Sequence, residues 1–409
     1  MARIKEFAGL RPDKKIASFV AELPYDVVTS EEAREIAQKN QYSFFHISKP
    51  EVDLSADVSL YDDSVYATGR KNFERFIGEG ILKKEESPCL YLYTQVMDGR
   101  EQTGIVTCLH IDDYLSDTIK KHELTREDKE IDRMKHLDSL NAQAGLVFTF
   151  YKEDGRGAGL FAEAIMNPPE YDFTTADGIR HVFRIIRDSR LIEEFKRCLD
   201  PLPLYIADGH HRAASAVKVG LQRRAADAAP ADEKEYNWFM AVVFPHNQLK
   251  IMAYNRVVRD LNGRTPEEFL QRLRNDFDIR KHDSGAPSKR HTVCMYLEGH
   301  WYEMTPRFEI PADPIKSLDV SIVQDVILGP VLGITDPRRD TRIDFVGGVG
   351  GIDGLCSRVD SGEFKVAFSL YPTSIEELMA VADEGGLMPP KSTWFEPKLR
   401  SGLVLHQLP

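Results

Sequence analysis

One short stretch concentrates the side chains best suited to chemistry. The run from Pro201 to Ala216 starts as an apolar strand and then brings together a carboxylate, two imidazoles and a guanidinium, from Asp208 through His210 and His211 to Arg212. Alanine-rich residues follow, so we expect Asp208 to cap a helix whose first free amide N–H groups belong to the next three residues. Such amides beside a guanidinium form a receptor for phosphate. The alternative is that Asp208 is only a helix cap and that the two histidines are structural.

A second candidate is the charged run from Lys120 to His136, which contains neither proline nor glycine. Its simplest interpretation is a solvated helix or a lid, on which residues three or four positions apart share a face. Its mixture of basic, acidic and imidazole side chains also suits the binding of phosphates and Mg²⁺. The predicted face carries Lys121, Thr125, Asp128 and Asp132, with Lys129 and Arg133 beside it and His122 and Glu123 adjoining it.

Two carboxylates near the N-terminus are candidates for a general base. Asp26 follows Pro24 and Tyr25 at a predicted strand end, where a carboxylate reaches a cleft more easily than on the face of a sheet. Asp26 could also be a metal ligand, and its structural alternative is an Asx-turn or a cap for a helix that begins near Thr29. Glu22, four residues earlier, is the competing carboxylate.

Composition limits the class of protein. The chain has 409 residues, 42% of them hydrophobic and 29% charged, which is typical of a soluble globular protein of two or three domains. Its formal net charge of -12 disfavours a general nucleic-acid binder but allows a local basic pocket for an anion. We find neither a secretory signal nor a run of about 18 apolar residues, so we expect neither secretion nor a membrane span.

The cysteines indicate a reducing compartment. They are scattered, odd in number and without a C-x-x-C pair, which argues against a disulfide framework and against a zinc site. We therefore expect a cytoplasmic protein. The five are Cys89, Cys108, Cys198, Cys294 and Cys356.

The periodicity predicts a mixed α+β protein, because strand and helix patterns alternate along the chain. Asp98 and Gly99 separate two runs rich in β-forming residues and predict an antiparallel hairpin. The apolar run Tyr42–Lys49 predicts a buried strand. Thr29 or Ser30 is the predicted cap of an early helix.

The last third of the chain has a different pattern. We expect a core domain over residues 1–254 and a second α+β domain, packed on it, over 255–409. The glycine-rich run Gly347–Gly351 lacks the G-x-G-x-x-G register, which argues against a dinucleotide-binding fold, and the chain has no P-loop. The loop Met388–Lys398 is equally consistent with closing over a ligand and with domain packing.

The segments that carry a family resemblance are Pro24–Val28, Lys121–Arg133, Ala207–Arg212 and Lys391–Lys398. Together they resemble a bacterial and archaeal family long catalogued as a domain of unknown function. The Asp-Gly-His-His-Arg segment is also similar to the phosphate-binding strand-to-helix motif of the ParB/sulfiredoxin-like superfamily. Within that superfamily, free-serine kinases of the SerK and SbnI type phosphorylate L-serine to O-phosphoserine with ATP or ADP.

The resemblance implies a ParB/sulfiredoxin-like nucleotide-binding core with inserted elements over 1–254 and a C-terminal α+β region of unassigned role over 255–409. It implies a nucleotide-dependent small-molecule kinase, a phosphotransferase with an alcohol group as acceptor. The expected cofactors are ATP or ADP with Mg²⁺, and the expected acceptor is L-serine.

By the same resemblance, Asp208 matches an aspartate that the kinases require, and the four residues after it match groups around the nucleotide phosphates. In those kinases a glutamate near the N-terminus is the base. We favour Asp26 because it lies within the shared Pro-Tyr-Asp motif, whereas Glu22 lies outside it. The predicted catalytic set is Asp26, Glu22, Asp208, His210 and His211. The predicted nucleotide-binding set is Asp208, Gly209, His210, His211, Arg212, Lys121, His122, Glu123, Lys129 and Arg133.

Two other functions stay open on the sequence. A ParB-like nucleotide-sensing protein would use the same pocket as a conformational switch for a partner, and the fold alone does not distinguish it from a kinase. A hydrolase would use Asp208, His210 and His211 as ligands of a transition metal.

Overall fold

The described part of the chain, residues 2–408 of a computed structural model, divides into two units. The first runs to Leu249 and is completed by the residues from Pro397 onward, and the second is Lys250–Glu396. The chain leaves the first unit after Leu249, a few residues before the expected boundary between 254 and 255. The prediction also omits the return of the C-terminal segment to the first unit.

Helices and strands are numbered along the chain. The helices are α1 (Ala17–Val20), α2 (Ser30–Lys39), α3 (Phe45–Ser48), α4 (Asp63–Gly78), α5 (Ile111–Leu115), α6 (Glu127–Leu140), α7 (Ala158–Ile165), α8 (Ser189–Leu199), α9 (His210–Ala226), α10 (Pro266–Leu273), α11 (Asp319–Val323), α12 (Gly351–Asp360) and α13 (Ile375–Asp383). The strands are β1 (Ile4–Lys5), β2 (Leu10–Pro12), β3 (Leu82–Lys84), β4 (Leu90–Met97), β5 (Arg100–His110), β6 (Ile119–Lys120), β7 (Ala142–Gln143), β8 (Val147–Tyr151), β9 (Tyr171–Thr174), β10 (Arg180–Ile186), β11 (Leu204–Asp208), β12 (Trp238–Pro245), β13 (Ile251–Met252), β14 (Tyr254–Val258), β15 (Phe277–His282), β16 (Val293–Leu297), β17 (His300–Pro306), β18 (Ile343–Gly347), β19 (Val366–Leu370), β20 (Trp394–Phe395) and β21 (His406–Gln407). None of the helices within residues 2–408 is long and apolar enough to span a membrane.

The first unit is organised by one large mixed sheet. Its strand order is β6-β11-β8-β12-β5-β4-β10-β9, and β1 pairs with β5. β11 runs parallel to β6 and β12 runs parallel to β8, whereas β11 with β8 and β12 with β5 are antiparallel. Strand β12 is buried along its whole length, as expected for a central strand covered on both faces. The mixture of parallel and antiparallel pairs with helices confirms the predicted α+β class.

Two local predictions are confirmed. Asp98 (φ 53°) and Gly99 (φ 75°) form the turn between β4 and β5, where two left-handed residues match the twist of a hairpin. The Thr29 hydroxyl accepts from the Glu32 amide (3.2 Å), and the Glu32 carboxylate accepts from the Thr29 amide (2.8 Å), so a capping box starts α2.

The run Tyr42–Lys49 is not the predicted buried strand. Its second half forms the short helix α3, and the Ser43 hydroxyl accepts from the Phe45 amide (3.3 Å) at the start of that helix. The helical turn places Phe44 and Ile47 in one apolar cluster and Phe45 in another. The prediction was wrong because a short apolar run does not distinguish a strand from a buried helical turn.

The charged run is not one continuous helix. Its first residue, Lys120, ends β6, which pairs with β11, and α6 begins only at Glu127. Lys121 and Thr125 therefore do not share a helix face with Asp128 and Asp132, because sheet pairing fixes the backbone before the helix begins. Nor is α6 simply solvated, since Asp132 and His136 are buried.

The second unit has its own sheet, in the order β15-β17-β16-β19-β14-β18. Gly347 ends β18, which is antiparallel to β14. A dinucleotide-binding unit has parallel strands at this point, so the structure agrees with the exclusion of that fold. Trp394 lies in β20, which pairs with β13, and its ring packs edge-on against Tyr254 at 5.0 Å.

Close packing fixes the position of α9 in the first unit. Ala213, Ala216 and Val217 of this helix belong to the main apolar cluster. Gly220 allows the helix to approach its surroundings, because a Cβ there would overlap the Tyr236 carbonyl oxygen and lie 3.0 Å from Ile111 Cδ1. This contact within α9 therefore helps to fix the position of the whole helix, including its start.

We expect Gly220→Ala to destabilise the protein by about 1–3 kcal/mol, because the new methyl group meets backbone rather than open space. The matched control is Gly78→Ala at the end of α4, where a Cβ meets nothing within 4 Å. That control should be neutral or stabilising by up to about 1 kcal/mol, since alanine favours a helix. Chemical denaturation measures both, and equal stabilities for the two variants would contradict the packing described.

Candidate functional site

The corner between β11 and α9 is built around Gly209. Its φ of 92° is a left-handed conformation that favours glycine, and it lets α9 begin at His210 directly after β11 ends at Asp208. No side chain caps this helix. The amide N–H groups of His210, His211 and Arg212 therefore have no partner within the helix and lie at its positive end.

Asp208 pairs with Arg212 and does not cap the helix, so the predicted cap is wrong. Arg212 Nη2 donates to Asp208 Oδ2 (2.8 Å), and Arg212 Nη1 donates to the Leu146 carbonyl oxygen. The guanidinium folds back over Gly209, where an added Cβ would lie 3.0 Å from Arg212 Cζ. Glycine is required here both for its backbone conformation and for the space it leaves.

Two cations keep Asp208 ionised. Burial by itself would raise the pKa of the Asp208 carboxyl, but the charges of Lys398 and Arg212 outweigh it and lower the pKa to about 2. Lys398 comes from the C-terminal segment and is buried, and Gln95 Nε2 donates to its carbonyl oxygen (2.9 Å). The corner between β11 and α9 thus contains a lysine in addition to the expected guanidinium.

His122 and His210 form a buried pair next to Asp208. Their ring centroids are 4.5 Å apart and the rings are perpendicular. Burial lowers the pKa of His122 to about 4, despite the charge of Asp208, and lowers the pKa of His210 well below its ordinary value. Both imidazoles are therefore neutral at neutral pH. His210 Nδ1 lies 3.7 Å from a Glu123 carboxylate oxygen, and His210 Nε2 is buried with no hydrogen-bond partner among the described residues.

A second cluster surrounds the turn at Tyr25 and Asp26. The Arg133 guanidinium lies on the Tyr25 ring, with Cζ 3.9 Å from the ring centroid, and pairs with Asp132 (2.7 Å). Burial disfavours the charged form of Arg212, yet the negative charge of Asp26 is among those that raise its pKa. Asp26 itself is exposed. Arg212 therefore connects the strand-to-helix corner with an exposed carboxylate.

His211 points to a different neighbourhood from His210. Its Nε2 accepts from the Arg126 amide (3.0 Å). Burial lowers the pKa of His211, although the charges of Asp26 and Glu130 act in the opposite direction. Of the two adjacent histidines, His210 belongs to the corner with Asp208, and His211 lies on the Asp26 side.

The Asp-His-His set required for a metal-dependent hydrolase does not converge. Within the described residues, the ligand atoms that come together as they would around a metal ion belong to His110, Asp112 and Asp232. The Arg3 guanidinium bonds His110 Nδ1 (2.7 Å) and pairs with Asp232 (3.3 Å), so a cation already balances that charge. The structure gives the hydrolase alternative no support.

Glu22 lies in a separate, more buried environment. The Ser43 hydroxyl donates to its carboxylate (2.6 Å), and the backbone of Glu22 bridges to Ser401. Burial raises the pKa of Glu22 to about 7, although Ser43 and the charges of Arg400 and His46 act against it. Asp26 directly follows Tyr25 and Glu22 lies three residues before it, but the charge partners of the two carboxylates differ.

Two lysines of the predicted nucleotide-binding set contact other groups. Lys121 Nζ donates to the Tyr114 carbonyl oxygen (3.2 Å) and lies over the Tyr114 ring at 4.4 Å. Lys129 Nζ donates to the Tyr61 hydroxyl (3.0 Å). These contacts hold both lysines at groups outside the corner, whereas His122, with its adjoining glutamate, lies in it.

Sequence reasoning did not place Lys398 in the nucleotide-binding set or Arg400 beside Glu22. The segment Lys391–Lys398 took part in the family resemblance, which is the one signal that could have indicated it. Nothing in its composition shows that the chain returns to the end of β11.

A family model described as a protein of unknown function, DUF1015, matches residues 4–321. The chain belongs to the DUF1015 family. This match covers most of the chain, including the corner at Asp208 and the turn at Asp26. No curated protein matches this DUF1015 chain.

Several solved structures are similar to this DUF1015 protein. A conserved hypothetical protein from Pyrococcus furiosus is 13% identical with a TM-score of 0.35, covering 72% of this chain and 93% of its own. A free serine kinase in complex with AMP is 12% identical with a TM-score of 0.35, covering 71% and 86%. SbnI with a C-terminal truncation, from Staphylococcus aureus, is 11% identical with a TM-score of 0.36, covering 71% and 82%. Identities this low assign no substrate to the chain.

We expect Glu22→Gln to become more stable than the wild type as the pH rises. The folded pKa of about 7 lies above the unfolded value near 4.5, so the wild type loses stability between these values as Glu22 ionises in its buried position. At pH 8 the free energy of unfolding of the variant should exceed that of the wild type by on the order of 2 kcal/mol. Denaturation at several pH values measures the difference, with exposed Glu35→Gln as the control. A difference that does not change between pH 4.5 and 8 would show that the Glu22 pKa is not raised.

Proposed function

We propose that this DUF1015 protein is a nucleotide-dependent small-molecule kinase, a phosphotransferase with an alcohol group as acceptor. The observation that carries the proposal is the corner at the start of α9, where amides without helical partners lie beside Arg212 and Lys398. Helix-end amides and cations together are a receptor for phosphate. The buried, unpartnered Nε2 of His210 adds one more polar group to the same place.

The charge at the corner suits a nucleotide that arrives with Mg²⁺. Asp208 is held ionised and the Glu123 carboxylate lies beside His210, so the corner offers the one or two carboxylates that Mg²⁺ usually takes beside phosphate oxygens. When bound, the ion neutralises phosphate charge. Arg212 and Lys398 would hold the phosphates, and the neutral imidazoles of His122 and His210 would contribute hydrogen bonds without adding charge.

The transfer needs a base for the acceptor hydroxyl. A bond forms between the hydroxyl oxygen and the transferred phosphorus, the bond from phosphorus to the nucleotide oxygen breaks, and the hydroxyl proton passes to a carboxylate. Asp26 suits this role by position, because it is exposed and its charge acts on Arg212 and His211. Glu22 has a pKa suited to a base at neutral pH, but its charge partners, Arg400 and His46, are not the residues on which the charge of Asp26 acts.

The donor and the acceptor follow from the motif resemblance. The Asp-Gly-His-His-Arg segment, similar to that of the free-serine kinases, implies ATP or ADP as donor and free L-serine as acceptor. Most of the rate would come from positioning the two substrates and from charge stabilisation at the corner.

We expect a serine-dependent O-phosphoserine signal when purified protein, Mg²⁺ and L-serine are incubated with ATP, ADP or pyrophosphate and followed by phosphorus NMR. Reactions without L-serine are the control, and the donor that supports the signal is thereby named. Nucleotide binding in a parallel titration with no product from any donor would replace the kinase with the nucleotide-binding switch.

We expect Asp208→Asn and Arg212→Ala each to lower kcat/KM at least about 100-fold, or about 2.7 kcal/mol of transition-state stabilisation, because each breaks the corner's charge pair. Matched controls are Asp172→Asn and Arg190→Ala, which change exposed ion pairs in the same unit. Circular dichroism checks that the fold is retained. Near-normal turnover in both corner variants would remove this mechanism.

The two candidate bases are separated by a paired substitution. Asp26→Asn should lower kcat about 100-fold or more with little change in nucleotide affinity, since a general base contributes about 10²–10⁴-fold. Glu22→Gln should stay within about tenfold of the wild type. If Glu22→Gln is the more damaging change and the wild-type rate rises through pH 7, then Glu22 is the base.

A further inference from the structure

A cavity of about 60 Å³, partly open to solvent, lies within the first unit beside the corner. Helices α6 and α9, strands β7, β8 and β12, and the loop at Pro24 and Tyr25 contribute to its lining. We call it the inner cavity. A water molecule needs about 10–15 Å³ of such space, so the inner cavity takes a ligand of several non-hydrogen atoms, the size of a small metabolite.

The lining of the inner cavity is largely apolar. Leu137, Val147, Phe239 and Met240 are buried and line it, with Ala144 partly buried beside them. Such a surface favours the carbon frame of a ligand and excludes water from polar contacts made inside. A ligand that is polar on every side would gain little from it.

A few polar groups break this apolar lining. The side chains of Arg133 and Arg212 line the inner cavity, and each carries a guanidinium with several N–H donors. Ser48 also lines it and is 5% exposed. Ser48 Oγ and Arg212 Nε are buried without a hydrogen-bond partner among the described residues. A buried polar atom without a partner costs about 1–3 kcal/mol, and a polar ligand would relieve that cost.

The position of the inner cavity favours the acceptor over the nucleoside as its occupant. Pro24 and Tyr25 line it, and they lie between the two candidate bases, Glu22 and Asp26, in the chain. Ser401, which bridges to the backbone of Glu22, lines it as well. A hydroxyl held in the inner cavity would therefore lie beside the loop that carries both candidate bases.

We propose that the inner cavity is the acceptor site, and that it takes a small hydroxylated carboxylic acid. The carboxylate pairs with the guanidinium of Arg133 or Arg212, a polar group of the ligand bonds Ser48 Oγ after rotation of that side chain, and the carbon frame packs on the apolar lining. The inference rests on the proposed kinase. The apolar lining also favours acceptors with one carbon more than serine, such as L-homoserine and L-threonine.

The first test fills the inner cavity. In titration calorimetry of the full chain with Mg²⁺ and ADP present, L-serine, L-threonine and L-homoserine are the probes. For each probe that binds the wild type, we expect Ala144→Leu to weaken the binding at least tenfold. The affinity for ADP should stay unchanged within about twofold. Exposed Ala225→Leu on α9 is the matched control and should change neither. Equal probe affinity in Ala144→Leu and the wild type would overturn the proposal, as would failure of all three probes to bind the wild type.

The second test removes one hydroxyl group. Because Ser48 Oγ has no partner in the described structure, Ser48→Ala should leave the melting temperature unchanged or raise it, while weakening probe binding about tenfold. Ser139→Ala on α6 is the opposite control, since its hydroxyl donates to the Tyr66 carbonyl (2.8 Å) and its loss should lower stability without affecting the probes. Unchanged probe affinity in Ser48→Ala would remove Ser48 from the site.

Binding and turnover separate this proposal from the kinase. If Ala144→Leu abolishes probe binding and the wild type transfers phosphate from no donor, the acceptor site in the inner cavity is supported and the kinase is rejected. Phosphoryl transfer with an acceptor KM that Ala144→Leu and Ser48→Ala leave unchanged would support the kinase and overturn the acceptor site.

Discussion

The ion pair between Asp208 and Arg212 is the interaction on which the candidate site depends. Gly209 allows α9 to begin directly after β11, and one turn later the guanidinium folds back to the strand end (2.8 Å). The same side chain bonds the Leu146 carbonyl oxygen and interacts with the charge of Asp26. One planar group with several donors thus connects a strand end, a helix start, a neighbouring strand and the N-terminal loop, which a single ammonium group could not do.

Burial and charge act differently on the ionisable groups around that pair. Asp208 stays ionised because two cations outweigh the cost of burial, whereas His122 and His210 are neutral because burial outweighs the charge of Asp208. The positive character of the corner therefore comes from Arg212, Lys398 and the helix-end amides, not from imidazolium groups. A corner built this way keeps its charge across the neutral pH range.

The loop of residues 22–26 is held by contacts on two sides. These contacts give the turn at Asp26 a defined position although the residue is exposed. The Tyr25 ring is covered by Arg133, and the Glu22 backbone bridges to Ser401. These contacts also form one wall of the inner cavity. The corner, the candidate bases and the inner cavity are therefore parts of one connected region of the first unit.

The α+β class, the hairpin at Asp98 and Gly99, a helix cap at Thr29 or Ser30 and the strand-to-helix step at Asp208 could be predicted from the sequence. Each depends on residues adjacent in the chain, whose backbone preferences and local hydrogen bonds can be read directly. The sequence did not show that residues 42–49 contain a helical turn, that α6 begins only at Glu127, or that Lys398 returns to Asp208. Nor did it show that Lys121 and Lys129 contact Tyr114 and Tyr61. Sheet pairing and burial bring together segments that are far apart in the chain. Composition and spacing therefore do not show which strand end a distant charged side chain will contact.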